Sequence, residues 1–185
     1  LLNIGNCGQI INMIDTEIMP IIDQYFDKKL NIKDAKLGFM YETWLKTYLV
    51  LANALVMQGN DRSFEILTIL FDIIERNQIK DDLFICKCKI TLAFANTIKG
   101  NYKASEQMLE EVLKLYRENT MDNETIIRWN FINIINNFFQ KQYDGIQEDL
   151  FQIVTFANNN GDNFTKNILK TLLGKVLKDN DNVKQ

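Results

Sequence analysis

The chain has 185 residues, of which 46% are hydrophobic and 24% charged, an ordinary balance for a water-exposed globular protein. A net charge of −3 and a pI near 5.1 argue against a nucleic-acid-binding face on this segment, and no apolar run approaches the length of a membrane span. One proline and eight glycines leave few helix breakers, so long helices are expected.

Cys7, Cys86 and Cys88 are odd in number and irregular in spacing, which reads as reduced thiols in a cytoplasmic protein. On a helix Cys86 and Cys88 would diverge by about 200°, so they would not share a metal. The chain lacks histidine, and neither a metal nor another cofactor is expected. It starts at Leu1 without a basic leader, so no signal peptide is read there, and the missing initiator Met leads to the expectation that something precedes it.

In chain order, Leu1–Ile14 reads as a first helix and Thr16–Leu30 as a second, capped by Asp15 or Thr16, with Pro20 tolerated near its first turn. Asp34–Gln58 reads as one long helix with a weak point at Gly38. From there the chain is self-similar. Leu51–Asn60 and Leu92–Asn101 share Leu, Ala, Ala, Gly and Asn at a shift of 41, and a further shift of 41 places Tyr102 on Tyr143 and Ala104 on Gly145. Each copy pairs a first helix, ending at Gly59, Gly100 or the Lys141–Gln142 pair, with an amphipathic second helix. The second helices carry Ile66, Leu67, Leu70, Phe71, Ile73 and Ile74, then Met108, Leu109, Val112, Leu113, Leu115 and Tyr116, then Leu150, Phe151, Ile153, Val154 and Phe156. Ala52, Ala93, Ser63, Ala104 and Gly145 are expected where paired helices cross, since a larger side chain would push the axes apart.

The expected fold is therefore all-α: a tetratricopeptide-like right-handed stack of antiparallel helix hairpins with repeats of about 41 residues. It would form one helical-repeat domain over 1–178, with copies at about 1–40, 41–81, 82–122 and 123–163, a C-terminal amphipathic helix at 164–178 and a disordered tail at 179–185. The 164–178 helix, carrying Ile168, Leu169, Leu172, Leu173 and Val176, would cap the stack or pair with a second chain.

In such a stack the first helices line a concave groove. One stripe on them is spaced by 3, 4 and 3 residues and gives four rows: Lys46, Lys87 and Arg128; Leu49, Ile90 and Phe131; Asn53, Phe94 and Ile135; Val56, Thr97 and Phe138. Lys46, Leu49, Asn53, Lys87, Ile90, Phe94, Thr97, Arg128, Phe131, Ile135 and Phe138 are thus the candidate peptide-binding residues. Three cations at one rim of an apolar floor suit an extended hydrophobic peptide with an acidic residue or free carboxylate, which Arg128 would hold by two parallel hydrogen bonds. Asn53 has both donor and acceptor for a peptide backbone. The competing account is that the cations are solvated and the apolar rows are packing, or are covered by 164–178. Asn130, Asn133, Asn136 and Asn137 are weaker ligand candidates, and Trp44 and Trp129 read as packing. No nucleophile, acid–base set, phosphate loop or metal spacing is present, so no enzyme is expected.

Ile4–Gly5–Asn6–Cys7, then Ile10, Ile11 and Ile18–Met19–Pro20–Ile21–Ile22, resemble the start of the C-terminal domain of Rgg/MutR-type transcriptional regulators, and Leu45–Glu75 and Phe84–Tyr116 resemble its repeats. The resemblance implies a cytoplasmic, homodimeric regulator whose repeat domain binds a short hydrophobic signalling peptide on its concave face, and which meets DNA only through an N-terminal helix-turn-helix domain lacking here. The hairpin past Asn123 departs from that pattern. The alternative function is a scaffold of tetratricopeptide-like repeats that grips a partner protein.

Overall fold

The computed structural model describes residues 6–25, 38–118, 122–142 and 145–159, and every regular element among them is helical. No helix among the described residues is long and apolar enough to cross a membrane. By its internal contacts the chain divides into two compact units, Leu1–Asp81 and Asp82–Gln185. The division falls at the end of the second expected copy. The expected helix at 164–178 and the tail at 179–185 lie outside the described residues.

The first unit holds α1 (Cys7–Met13), α2 (Met19–Tyr25), α3 (Gly38–Met57) and α4 (Arg62–Arg76). The two N-terminal helices expected to break at Asp15 form one run instead, joined through a π-helical turn at Ile14–Ile18. Pro20 lacks an N–H and crowds the carbonyl four residues back; a wider turn just upstream is a known way to relieve that conflict inside a helix. Neither Asp15 nor Thr16 caps anything: the Thr16 hydroxyl donates to Asn12 O at 2.8 Å, and the Asp15 carboxylate takes both guanidinium nitrogens of Arg62, at 2.5 and 2.7 Å. That fork ties the π turn to the start of α4. In α3, Trp44, Leu51, Ala52, Ala54, Leu55 and Val56 are buried, and Trp44 packs edge-on against Tyr48 with centroids 4.8 Å apart. The helix pairs with α4 through Ile66, Leu67, Leu70 and Ile73.

The second unit holds α5 (Asp82–Ile98), α6 (Tyr102–Glu118), α7 (Asn123–Phe139) and α8 (Ile146–Asn159). α5 packs on α6 and α7, and α7 packs on α6 and α8. Two apolar clusters result. Cys86, Ile90 and Ala93 of α5 meet Leu109 and Val112 of α6, closed by Ile132 of α7 with Trp129 and Phe131 against it. Ile127 and Ile134 of α7 meet Ile146, Leu150 and Ile153 of α8. Of the small residues expected at crossings, Ala52, Ala93 and Ser63 are fully buried. Ala104 is half-buried, and Gly145 is an exposed turn residue at φ +79° with open space around it. In α6 the tightly packed small side chain is the next residue, Ser105, at 0% exposure.

Asp122 starts α7. Its carboxylate accepts from Thr125 N at 2.7 Å and from Lys87 Nζ at 2.9 Å. Burial alone would raise the pKa of this carboxyl, but the Thr125 and Lys87 hydrogen bonds outweigh it and hold the group below its usual value. A lowered folded-state pKa means that the cap stabilises fully above the ordinary carboxylate range and weakens as pH falls through the lowered value.

Candidate functional site

Within the second unit, the stripe expected to line a groove turns α5 toward α7 instead. Lys87 reaches Asp122, the Phe94 ring meets Phe131 edge-on with centroids 6.1 Å apart, and Thr97 Oγ1 lies 3.0 Å from Asn136 Oδ1. Ile90 is buried in the cluster that Ile132 closes. Ile90 and Thr97, each 2% exposed, are therefore seam residues and not an open floor. The spacing that marks a binding stripe on a helix is also the spacing of a helix–helix contact, and here the contact uses it. On α7, Arg128 pairs with Glu124 at 3.1 Å, Phe131 touches both clusters, Phe138 packs on the second, and Ile135 is 8% exposed.

In the first unit, Lys46 remains largely exposed and pairs with Glu42 at 2.5 Å. Leu49 is buried, and Asn53 donates its amide to Leu49 O at 2.8 Å. All three cations of the expected rim thus have an acidic neighbour. At exposed sites such pairs contribute about 0–1 kcal/mol, but each lowers the local positive potential that an acidic ligand would meet.

The seam holds a polar knot that composition did not reveal. The Thr97 hydroxyl lies 3.1 Å from Ala93 O, 3.0 Å from Asn136 Oδ1 and 2.8 Å from Ser105 Oγ. It has one proton, so it donates to one carbonyl oxygen and accepts from Ser105. Asn136 Nδ2 donates to Tyr102 O at 3.3 Å. Thr97, Ser105 and Asn136 are each at most 2% exposed and come from α5, α6 and α7 in turn. This arrangement fixes how three helices meet. Asn136, one of the weaker ligand candidates, is thus a packing residue.

An open site lies between α7 and α8. Ile126 and Asn130 on α7 and Asp149, Gln152, Ile153 and Phe156 on α8 line a cleft of about 250 Å³. Its origin is visible by comparison with α5 and α6. There Lys89 of α5 and Glu111 of α6 form an ion pair across the two helices. The residues 41 positions on are Asn130 and Gln152, two neutral amides, of which Asn130 is shorter than the lysine it is compared with. Asn130 Nδ2 is used by Ile126 O at 2.9 Å, which turns its carbonyl oxygen to other partners. The cleft is lined by three apolar side chains, two amides and one carboxylate, a mixed lining that gives a small ligand both apolar contact and hydrogen-bond partners. The signal for it in the sequence was the loss of one charge pair at fixed spacing.

Comparison of the chain with protein-family models, with curated proteins and with solved structures found no match.

Proposed function

We propose that this chain is the ligand-sensing domain of a regulator, built of tetratricopeptide-like hairpins repeating at about 41 residues, and that it takes a short hydrophobic peptide in the α7–α8 cleft. The observation that carries the reading is the cleft itself, lined by Ile126, Ile153 and Phe156 together with Asn130, Gln152 and Asp149. Amides supply paired donors and acceptors to an extended backbone. Asp149 adds a negative charge, so the favoured peptide is apolar with a basic residue or free amine, the reverse of the acidic preference that Lys46, Lys87 and Arg128 suggested. An attached DNA-binding domain of the Rgg/MutR kind would read a shift between helix arrangements.

The repeat period is supported by helix ends. Asn60 N donates to Leu55 O, Asn101 N to Asn96 O and Gln142 N to Asn137 O, at 2.9–3.0 Å, after a left-handed residue at Gly59, Gly100 and Lys141. All three sets are 41 apart, and all three close a helix by the same backbone motif. Lys141 occupies at φ +58° a conformation that costs a side-chain-bearing residue about 1 kcal/mol or more. Lys141→Gly is therefore expected to raise the melting temperature by about 2 °C, after the extra chain entropy of glycine is deducted. Scanning calorimetry of the two proteins checks this, and an unchanged or lower value would contradict it.

The binding test is calorimetric titration of the whole chain with short apolar peptides in matched basic, neutral and acidic versions. Preference for the basic series, weakened about tenfold by Asp149→Asn, is the expected result. Binding that ignores Asp149→Asn removes the cleft from the reading, and no binding at all removes the sensor. The scaffold reading then takes its place, favoured by the exposed rings of Phe151 (66%) and Phe139 (52%).

A further inference from the structure

The α7–α8 cleft is built where two helical stripes meet. Asp149, Gln152, Ile153 and Phe156 follow one another at spacings of 3, 1 and 3 on α8, and Ile126 and Asn130 stand one turn apart on α7. Ile153 is 5% exposed and belongs to the Ile127–Ile134–Ile146–Leu150 cluster, so one wall is fixed by the core. Asp149 and Gln152 are exposed, and Ile126 and Asn130 are half-buried. The polar lining is unequal in kind. An ionised carboxylate accepts hydrogen bonds and donates none. Asn130 already gives an N–H to Ile126 O at 2.9 Å, which leaves its carbonyl oxygen as its larger capacity. Gln152 alone brings a whole amide donor group. The cleft therefore offers more acceptors than donors, together with one formal negative charge.

The preceding hairpin treats the same stripe differently. Forty-one positions before Asn130, Asp149 and Gln152 stand Lys89, Met108 and Glu111. There the cation is built in, since Lys89 of α5 pairs with Glu111 of α6. In the α7–α8 hairpin the acid is kept, one turn further back along its stripe at Asp149, while the lysine has become Asn130. The hairpin thus retains the anionic half of the pair and not the cationic half.

We propose that the cation completing this site is a guanidinium on an apolar stem, the side chain of an arginine in the bound peptide. The inference rests on the peptide-binding reading of the cleft and narrows it. A volume of about 250 Å³ lies below the roughly 300–1,000 Å³ of sites that enclose a drug-sized ligand, so one side chain enters and the rest of the peptide lies outside. A guanidinium presents its N–H groups in a planar fork. It bonds the Asp149 carboxylate through two parallel hydrogen bonds and keeps donors for the amide oxygens of Asn130 and Gln152. It is also less strongly hydrated than an ammonium, so it loses less on leaving water beside Ile126, Ile153 and Phe156.

The test is calorimetric titration of the whole chain with apolar peptides that differ at one residue, which is arginine, lysine or citrulline, the uncharged isostere of arginine. The arginine peptide is expected to bind at least about fivefold more tightly than the lysine peptide and about tenfold more tightly than the citrulline peptide. Asp149→Asn, at an exposed position where the fold is indifferent to the change, should erase the preference for arginine over lysine. Lysine or citrulline binding as tightly as arginine overturns the guanidinium, and so does a preference that survives Asp149→Asn. If the lysine peptide is nonetheless weakened by Asp149→Asn, the peptide reading of the cleft stands without it; if no peptide binds, both fall. n-Butylguanidine separates the two sources of the group. Binding weaker than that of the arginine peptide supports a peptide ligand, whereas equal binding keeps the guanidinium site and makes a free guanidino compound its occupant.

Discussion

Replacing Asn136 with Ala is expected to destabilise the chain by on the order of 3 kcal/mol, because it removes hydrogen bonds to two neighbouring helices and leaves a void. Asn136 is fully buried, its amide donates to Tyr102 O at 3.3 Å, and its carbonyl oxygen lies 3.0 Å from the Thr97 hydroxyl. Asn136 and Thr97 are both at most 2% exposed, so neither side chain can turn to water. The corresponding fall in melting temperature is about 6–12 °C for a chain of this size. The origin of the loss is separable from volume. Asn136→Leu keeps the bulk but removes the contact between the amide oxygen and the Thr97 hydroxyl, and Thr97→Val removes the same contact from the other side. Urea unfolding of the two single variants and the double variant should show a double that costs clearly less than the sum. Simple additivity would mean that the two side chains are not coupled across the α5–α7 seam.

The second large effect is expected in α8. Leu150 is 0% exposed and lies amid Ile127, Ile134, Ile146 and Ile153, so Leu150→Ala should cost about 2–5 kcal/mol through lost transfer energy and a residual cavity. Its neighbour Phe151 is 66% exposed, and Phe151→Ala should change stability by no more than about 0.5 kcal/mol. Adjacent positions on one helix thus differ by several-fold solely through the face they occupy. Denaturant midpoints at an unchanged slope measure both. Similar small losses at the two positions would show that α8 is not seated on α7 as described.

How much of this was legible in the sequence depends on the signal that each feature leaves. The amphipathic runs of α4, α6 and α8 were readable because one apolar face against one solvated face leaves a clear 3.6-residue period. Helix ends at Gly59 and Gly100 were readable because a left-handed residue favours glycine. Lys141 shows the same geometry without that residue, and only the fixed shift pointed to it. The N-terminal run was misread because a π turn has no distinct composition; the polar pair Asp15–Thr16 looked like a cap, with Pro20 near the first turn of a new helix.

The candidate site was read less well, for a physical reason. Helices such as α5, covered on more than one side, carry apolar and small residues around most of their circumference, and periodicity then cannot separate a seam from a floor. Thr97 was placed in the groove by its row on the first helices and Asn136 was a weaker ligand candidate through the recurrence of asparagine; here they contact each other. The cleft between α7 and α8 was within reach, since Asn130 and Gln152 stand where the preceding hairpin has Lys89 and Glu111.

The Thr97–Ser105–Asn136 knot also bears on how an all-helical chain with several apolar helix faces avoids assembling wrongly. Repeats with interchangeable apolar faces can trap themselves by seating the wrong helix on a given hairpin. A helix that lacks the Asn136 amide would forgo the hydrogen bonds to the Thr97 hydroxyl and to Tyr102 O, and α7 seated on any all-apolar face would bury a bare amide. The knot therefore acts as an address label, penalising a mispairing of these helices during folding, because Thr97, Ser105 and Asn136 each have a buried hydrogen-bond partner in the observed order.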